Sequence, residues 1–257
     1  MPTLPSLTEL LQAGVHFGHK ESRWHPKMKD NIFGTRNGIH IIDLERTLAR
    51  LKEALDFVRE LTARGGNVLF LGSKRQARDI IKKYAEQCGA PYVYGRWLGG
   101  TLTNFGEVSA LIKRFNDLTA QQASGALQKY TKKEQSRFGK LIADMESKVG
   151  GVRTLVRPPD ALFVIDVKKE KTAVAEAQVR KIPIIALADS NVNPDVIAYP
   201  IPSNDDAVKT IEIMTRLIAE AVSEGRALRE QAAAAVREEK AKQPAAPVAP
   251  AKEASSK

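Results

Sequence analysis

Four short apolar runs, each closed by a turn or cap residue, constrain this chain more than any other feature: VLFLG (68–72), YVY (92–94), ALFVID (161–166) and IIALAD (184–189). A strand that is apolar at every position, with no polar alternation, is one covered on both faces. A fifth run, IAYPIP (197–202), carries two prolines, which restrict it to an edge. Helical patterns lie between and after these runs, at 74–87, 172–180 and 205–224. Buried strands alternating with helices imply an α/β fold, a parallel sheet flanked by helices on both faces.

Residues 104–150 break the alternation. They hold no strand candidate but two apolar stripes at helical spacing, Val108, Leu111, Ile112, Phe115, Leu118 and Phe138, Leu141, Ile142, Met145, Val149. Thr131-Lys132-Lys133-Glu134 has the form of a capping box, which places the start of the second helix. Narrow stripes on otherwise polar helices predict an antiparallel coiled-coil helical hairpin inserted into the sheet domain and projecting from it. Residues 104–157 contain ten Lys or Arg against five Asp or Glu, so the projection is basic. Lys113, Arg114, Lys132 and Lys133 are its candidate RNA contacts.

The N-terminal part reads separately. NIFGTRNGIHIID places Asn37-Gly38, both tolerant of positive φ, between two short strands, a hairpin signal. Asp43 caps a helix whose leucines follow three-and-four spacing up to Gly65-Gly66. The expected organisation is an N-terminal arm and hairpin (1–42), a core built from 43–103 and 151–225, the inserted hairpin (104–150), and a helical extension with an Ala/Pro/Lys tail (226–257). The composition of 240–257 cannot bury enough apolar area to offset ordering and reads as disordered.

Forty Lys and Arg against thirty Asp and Glu give a formal charge of +10, the balance of a protein that meets phosphates. The lone Cys88 excludes an internal disulfide framework and a CxxC zinc ribbon, and suits a reducing compartment. No window approaches the roughly 20 apolar residues of a membrane span, and the N-terminus lacks a secretory pattern. These features predict a soluble intracellular chain.

In open α/β sheets, ligands sit at the carboxyl ends of strands. Gly72-Ser73-Lys74 resembles the end of a phosphate-cradling loop, but that loop needs glycine where Asn67 stands. Lys74, Arg75 and Arg78 are read instead as a cationic first helical turn. In the loop GRWLGG (95–100), Arg96 can pair with phosphate, while Trp97 either stacks on a base or packs inward as a core anchor. Asp166, Asp189 and Asp205 can hold Mg²⁺ in a phosphotransfer enzyme, yet no nucleophile is paired by spacing with a general base. Structural roles are favoured for them.

Three of the four histidines fall in GVHFGHKESRWHPKM (14–28). Zinc wants four ligands, and neither a cysteine pair nor an H-E-x-x-H helix is present. A divalent ion shared by His16 or His19 with Asp189 and Asp205 is the alternative left open; no other cofactor is indicated. Lys20, Arg23, Trp24, His25, Lys27 and Lys29 instead alternate cations with planar groups, the composition of a phosphate-and-base surface.

LLQAGVHFGH (10–19), GRWLGGTLTNF (95–105), PPDALFVID (158–166) and IPSNDDA (201–207), in this order and spacing, resemble the signatures of the bacterial ribosomal protein S-two family. The resemblance covers about residues 4–226. It implies a flavodoxin-like domain with a protruding coiled-coil hairpin and no catalysis. Such a protein would lie in the cytoplasm, bound to small-subunit rRNA on the solvent side at the head/body junction and beside neighbouring small-subunit proteins. It would help recruit the large S-one protein, with no membrane and no small-molecule substrate. It also places Gly18-His19 and Trp24 to Met28 in an rRNA-reaching N-terminal extension. The rivals are a metal-dependent enzyme using the strand-tip acids and a scaffold whose hairpin binds polypeptide.

Overall fold

The computed structural model describes residues 3–242. The chain opens with α1 (Leu7–Ala13). Ser6 accepts the Glu9 N–H while the Glu9 carboxylate accepts the Ser6 N–H, and Gly14 ends the helix at φ 79°. A three-stranded antiparallel sheet follows, β1 (Phe17–Lys20), β2 (Ile32–Arg36) and β3 (Ile39–Ile42), in the order β1-β3-β2. Asn37 and Gly38 both turn at positive φ between β2 and β3, as a two-residue hairpin requires. The sequence offered no signal for β1. Its four residues do not alternate, and a register irregularity interrupts its pairing with β3.

Asp43 caps α2 (Leu44–Ala63), accepting the N–H groups of Glu45 and Arg46. Then come β4 (Val68–Leu71), α3 (Arg78–Cys88), β5 (Tyr92–Val93), α4 (Phe105–Ala123), α5 (Lys132–Val149), β6 (Ala161–Val164), α6 (Lys171–Val179), β7 (Ile184–Ala188), β8 (Tyr199–Pro202) and α7 (Val208–Lys242). The five later strands form one all-parallel sheet ordered β5-β4-β6-β7-β8. Counted from β4 as the first strand, this is 2-1-3-4-5, the doubly wound order of flavodoxin-like folds. Pro200 and Pro202 lie on β8, an edge strand, where a missing N–H costs least.

Alternate residues of each strand enter different cores. Phe70, Phe163, Ile185, Leu187 and Ile201 pack with α2, α3 and α7; Leu69, Leu71, Leu162, Val164 and Ala186 pack with α6 and with Val108, Ile112, Phe115, Met145 and Val149 of α4 and α5. Phe70 and Phe163 meet edge to face at 5.4 Å. Because strands β4, β6 and β7 are buried on both sides, they read as unbroken apolar runs.

The pair α4 and α5 shares the second core through one apolar stripe from each helix, with Leu111, Leu118, Leu141 and Ile142 half-buried along it. Thr131 closes the capping box with Glu134 at the start of α5. Where the pattern placed a helix from 74, α3 begins at Arg78, and 74–77 form a turn closed by the Ala77 and Arg78 amides donating to the Lys74 carbonyl. Helix α7 runs on to Lys242, so the first three residues of the tail read as disordered are helical; 243–257 lie outside the described residues.

The beginning of the chain is fastened to its later part. The Asn204 amide donates to the Val15 carbonyl at 3.0 Å, and its side chain to Gly14 at 3.3 Å. The Thr210 hydroxyl donates to the Ala13 carbonyl at 3.0 Å. Among the described residues, no helix is long and apolar enough to cross a membrane.

Candidate nucleic-acid interface

The carboxyl ends of the parallel strands carry most of the polar chemistry, and Lys74 stands at its centre. Its ammonium lies 3.2 Å from Asp166, 2.8 Å from Asp205 and 2.6 Å from Asp206. Burial opposes its charge, but these carboxylates prevail and hold its pKa above the usual lysine value. Lys74, expected from sequence as an RNA contact, therefore has its charge engaged by carboxylates of its own chain and serves as a structural counter-ion. The partners come from segments 92 and 131 residues away, so no local pattern announces them.

Asp205 is 1% exposed, and burial raises its pKa to about 7, with the nearby charges of Asp189 and Asp166 adding to the effect. The His19 ring reaches Asp189 through Nδ1 at 2.9 Å and Asp206 through Nε2 at 3.7 Å. The Asp189 hydrogen bond outweighs desolvation and raises the histidine pKa. His19 is held by its backbone too, its N–H donating to Ser190 Oγ at 2.8 Å. Gly18 permits this approach, because a Cβ there would stand 2.9 Å from the same hydroxyl oxygen.

Donor atoms of His19, Asp205 and Asp206 lie within 4.8 Å of one another, a mixed nitrogen and oxygen set that can hold a cation. Of the candidates read from sequence, His16 is not in this group. Its ring packs on Phe17 at 4.0 Å, its Nδ1 is buried without a partner among the described residues, and desolvation lowers its pKa. Asp189 is taken up by His19, with its Oδ1 also accepting the Ser190 hydroxyl at 3.0 Å.

Beside this cluster, loop 97–103 wraps around one carboxylate that sequence reasoning missed. Buried Glu176 of α6 accepts Trp97 Nε1–H at 3.0 Å and the amides of Gly100 (2.8 Å), Leu102 (2.9 Å) and Thr103 (3.2 Å). Burial alone would raise its pKa; the donors of Leu102, Trp97, Gly100 and Thr103 overcome it and hold the carboxyl below the usual range. Trp97 is 8% exposed and is thus a core anchor, not a stacking platform for a base. The available signal was an acid at 176 among the buried Ala173, Val174 and Ala177.

The remaining candidates lie outward. Lys20, Arg23 and Lys29 are exposed on the arm and meet no carboxylate among the described residues. Lys27 pairs with Asp195. Trp24 is 37% exposed with its ring 5.2 Å from His40, and His25 is half-buried, its Nδ1 accepting the Lys27 amide. Arg75, Arg78 and Arg96 are exposed around the strand tips, as are Lys113 and Arg114 on α4 and Lys132 and Lys133 on α5. The structure thus divides the sequence's candidates into an exposed set on arm, loops and helix pair, and an internalised pair, Lys74 and Trp97.

Comparison with known proteins places the chain in a family. The family model described as Ribosomal protein S2 matches residues 10–225. The Small ribosomal subunit protein uS2 of Fusobacterium nucleatum subsp. nucleatum is 47% identical over 221 residues, covering 86% of this chain and 90% of that protein. With β1 to β8, the α4–α5 pair and the strand tips all inside the matched span, the chain belongs to the ribosomal protein S2 family, whose members are structural proteins and not enzymes.

Proposed function

We propose that this chain is a structural constituent of the small ribosomal subunit in the cytoplasm, and that it grips rRNA at the head/body junction on the solvent side. The cations of the arm, of the strand-tip loops and of a basic α4–α5 coiled coil would make the contacts. One observation carries the reading: Lys20, Arg23, Lys29, Lys113, Arg114, Lys132 and Lys133 are exposed with no carboxylate partner among the described residues. Unpaired cations spread over protruding elements release condensed counterions when they meet phosphates.

Recruitment of the S-one protein fits a different surface. A groove of about 580 Å³ beside α1 is lined by Leu7, Leu11, Phe33 and Ile41 together with Asp43 and Glu45. Phe33 is 82% exposed. An apolar lining that also carries two acids suits a polypeptide and repels RNA.

The test is the salt dependence of binding to small-subunit rRNA. Neutralising Arg23, Lys29, Lys132 and Lys133 together should lower the slope of log K against log[salt] by about 0.7 to 0.9 for each phosphate that the variant leaves unneutralised. An unchanged slope overturns the rRNA assignment of these residues. Phe33→Ser should weaken S-one binding and leave the salt slope as it was.

A further inference from the structure

A second cleft, of about 490 Å³, opens at the carboxyl ends of β5, β4 and β6, where the order of the strands reverses. Its cations are arranged unlike Lys74. Arg78 Nε and Lys169 Nζ both donate to the Ser73 carbonyl, at 3.1 and 3.2 Å, so two positive charges converge on one neutral oxygen. Neither meets a carboxylate within ion-pair distance among the described residues, and exposed Arg96 lines the same cleft with no partner there. The one acid in the lining, buried Glu170, is turned toward the Ser73 amide at 3.1 Å.

The floor of the cleft adds neutral donors. Helix α6 begins here, and its N-cap, Glu170, makes no side-chain capping bond. Lys169, Glu170 and Thr172 line the cleft, which puts the positive end of the α6 dipole beside it. Three cations against one carboxylate leave this cleft positive by two charges, and the donors that remain are suited to an oxyanion with several acceptor oxygens.

We propose that this switch-point cleft is a binding site for the phosphate of a nucleotide unit, with Arg78, Lys169 and Arg96 clamping the oxygens and the start of α6 closing the site from below. The volume is that of a small-ligand pocket and exceeds a lone phosphate. The phosphate can come from a nucleotide within RNA or from a free mononucleotide. Only the first source rests on the rRNA reading above; the site itself does not.

The experiment titrates the isotope-labelled full chain with adenosine 5′-monophosphate and, separately, with a short single-stranded RNA, and follows the Ser73, Arg96 and Thr172 amides. Shifts in these amides are expected, together with binding that weakens about tenfold or more in Arg78→Gln combined with Lys169→Gln, as loss of charge-assisted hydrogen bonds implies. A response to both ligands, or to the mononucleotide alone, supports the site and shows that free nucleotides enter it. A response to RNA alone supports it as an RNA phosphate seat. If neither ligand moves these amides in the wild-type chain, the proposal is overturned, even where whole-protein binding to small-subunit rRNA is intact. If rRNA binding fails while the mononucleotide still shifts them, the rRNA reading falls and the site stands.

Discussion

Lys74 and Arg78 follow the same strand four residues apart, and the fold gives them opposite surroundings. Lys74 is drawn inward among Asp166, Asp205 and Asp206, while Arg78 is exposed and, among the described residues, donates to a backbone carbonyl and meets no carboxylate. Formal charge therefore does not measure what a cation has left to offer a phosphate. On the β8 side of the sheet the acids already satisfy the lysine; on the β5 side the cations wait for a counter-charge from outside. A strand-tip crescent that looks like one polar surface is two, an internally neutralised brace and an open anion cleft.

The sharpest break of this contrast is Lys74→Met. It removes the cation shared by three carboxylates, one of them only 1% exposed, and should cost about 3 kcal/mol in chemical denaturation. A loss below about 0.5 kcal/mol would mean that the lysine is as dispensable as Arg78.

Acidity probes the same side. The Asp205 pKa is raised to about 7 and that of His19 is raised as well, so the folded state holds protons that the unfolded chain releases. Both effects stabilise at low pH and fade as pH climbs, Asp205 across the window from about 4 to 7 and His19 above its unperturbed value. Between pH 5 and 8 the wild type should lose on the order of 2 kcal/mol relative to Asp205→Asn. Parallel stability profiles for the two proteins would contradict the assignment.

Glu176→Gln tests whether the loop beside the open cleft is braced in the same way. An amide offers one acceptor oxygen to donors that now share two, and the cost should be about 2 kcal/mol, with a change in Trp97 fluorescence. An unaltered emission spectrum would show that the indole is held by packing alone. The smallest effect belongs to Arg78→Gln, within about 0.5 kcal/mol of wild type, because an exposed cation without an acid partner contributes little to the fold.

Which parts were legible follows from where the determining interactions lie. Strands β4, β6 and β7 announced themselves because burial on both faces leaves only apolar residues, and the caps at Asp43 and Thr131 act within three residues of themselves. β1 was invisible, since its placement depends on Ser190 beside Gly18 and on β3, not on its own pattern. The same reason hid the fates of Lys74 and Trp97: their partners, Asp205 and Glu176, stand 131 and 79 residues away in sequence. Lys20, Arg23 and Lys29 of the arm and the exposed cations of the α4–α5 pair needed no distant partner, unlike Lys27, which pairs with Asp195.

The bonds from Ala13, Gly14 and Val15 to Asn204 and Thr210 also set a timetable. Ala13, Gly14 and Val15 lack these partners until a segment roughly 190 positions later has emerged, a delay on the order of ten seconds or more at ordinary elongation rates. The β1-β3-β2 sheet needs nothing beyond Ile42 and can pair early, so what waits for the last strand and helix is the fastening of that sheet to the core.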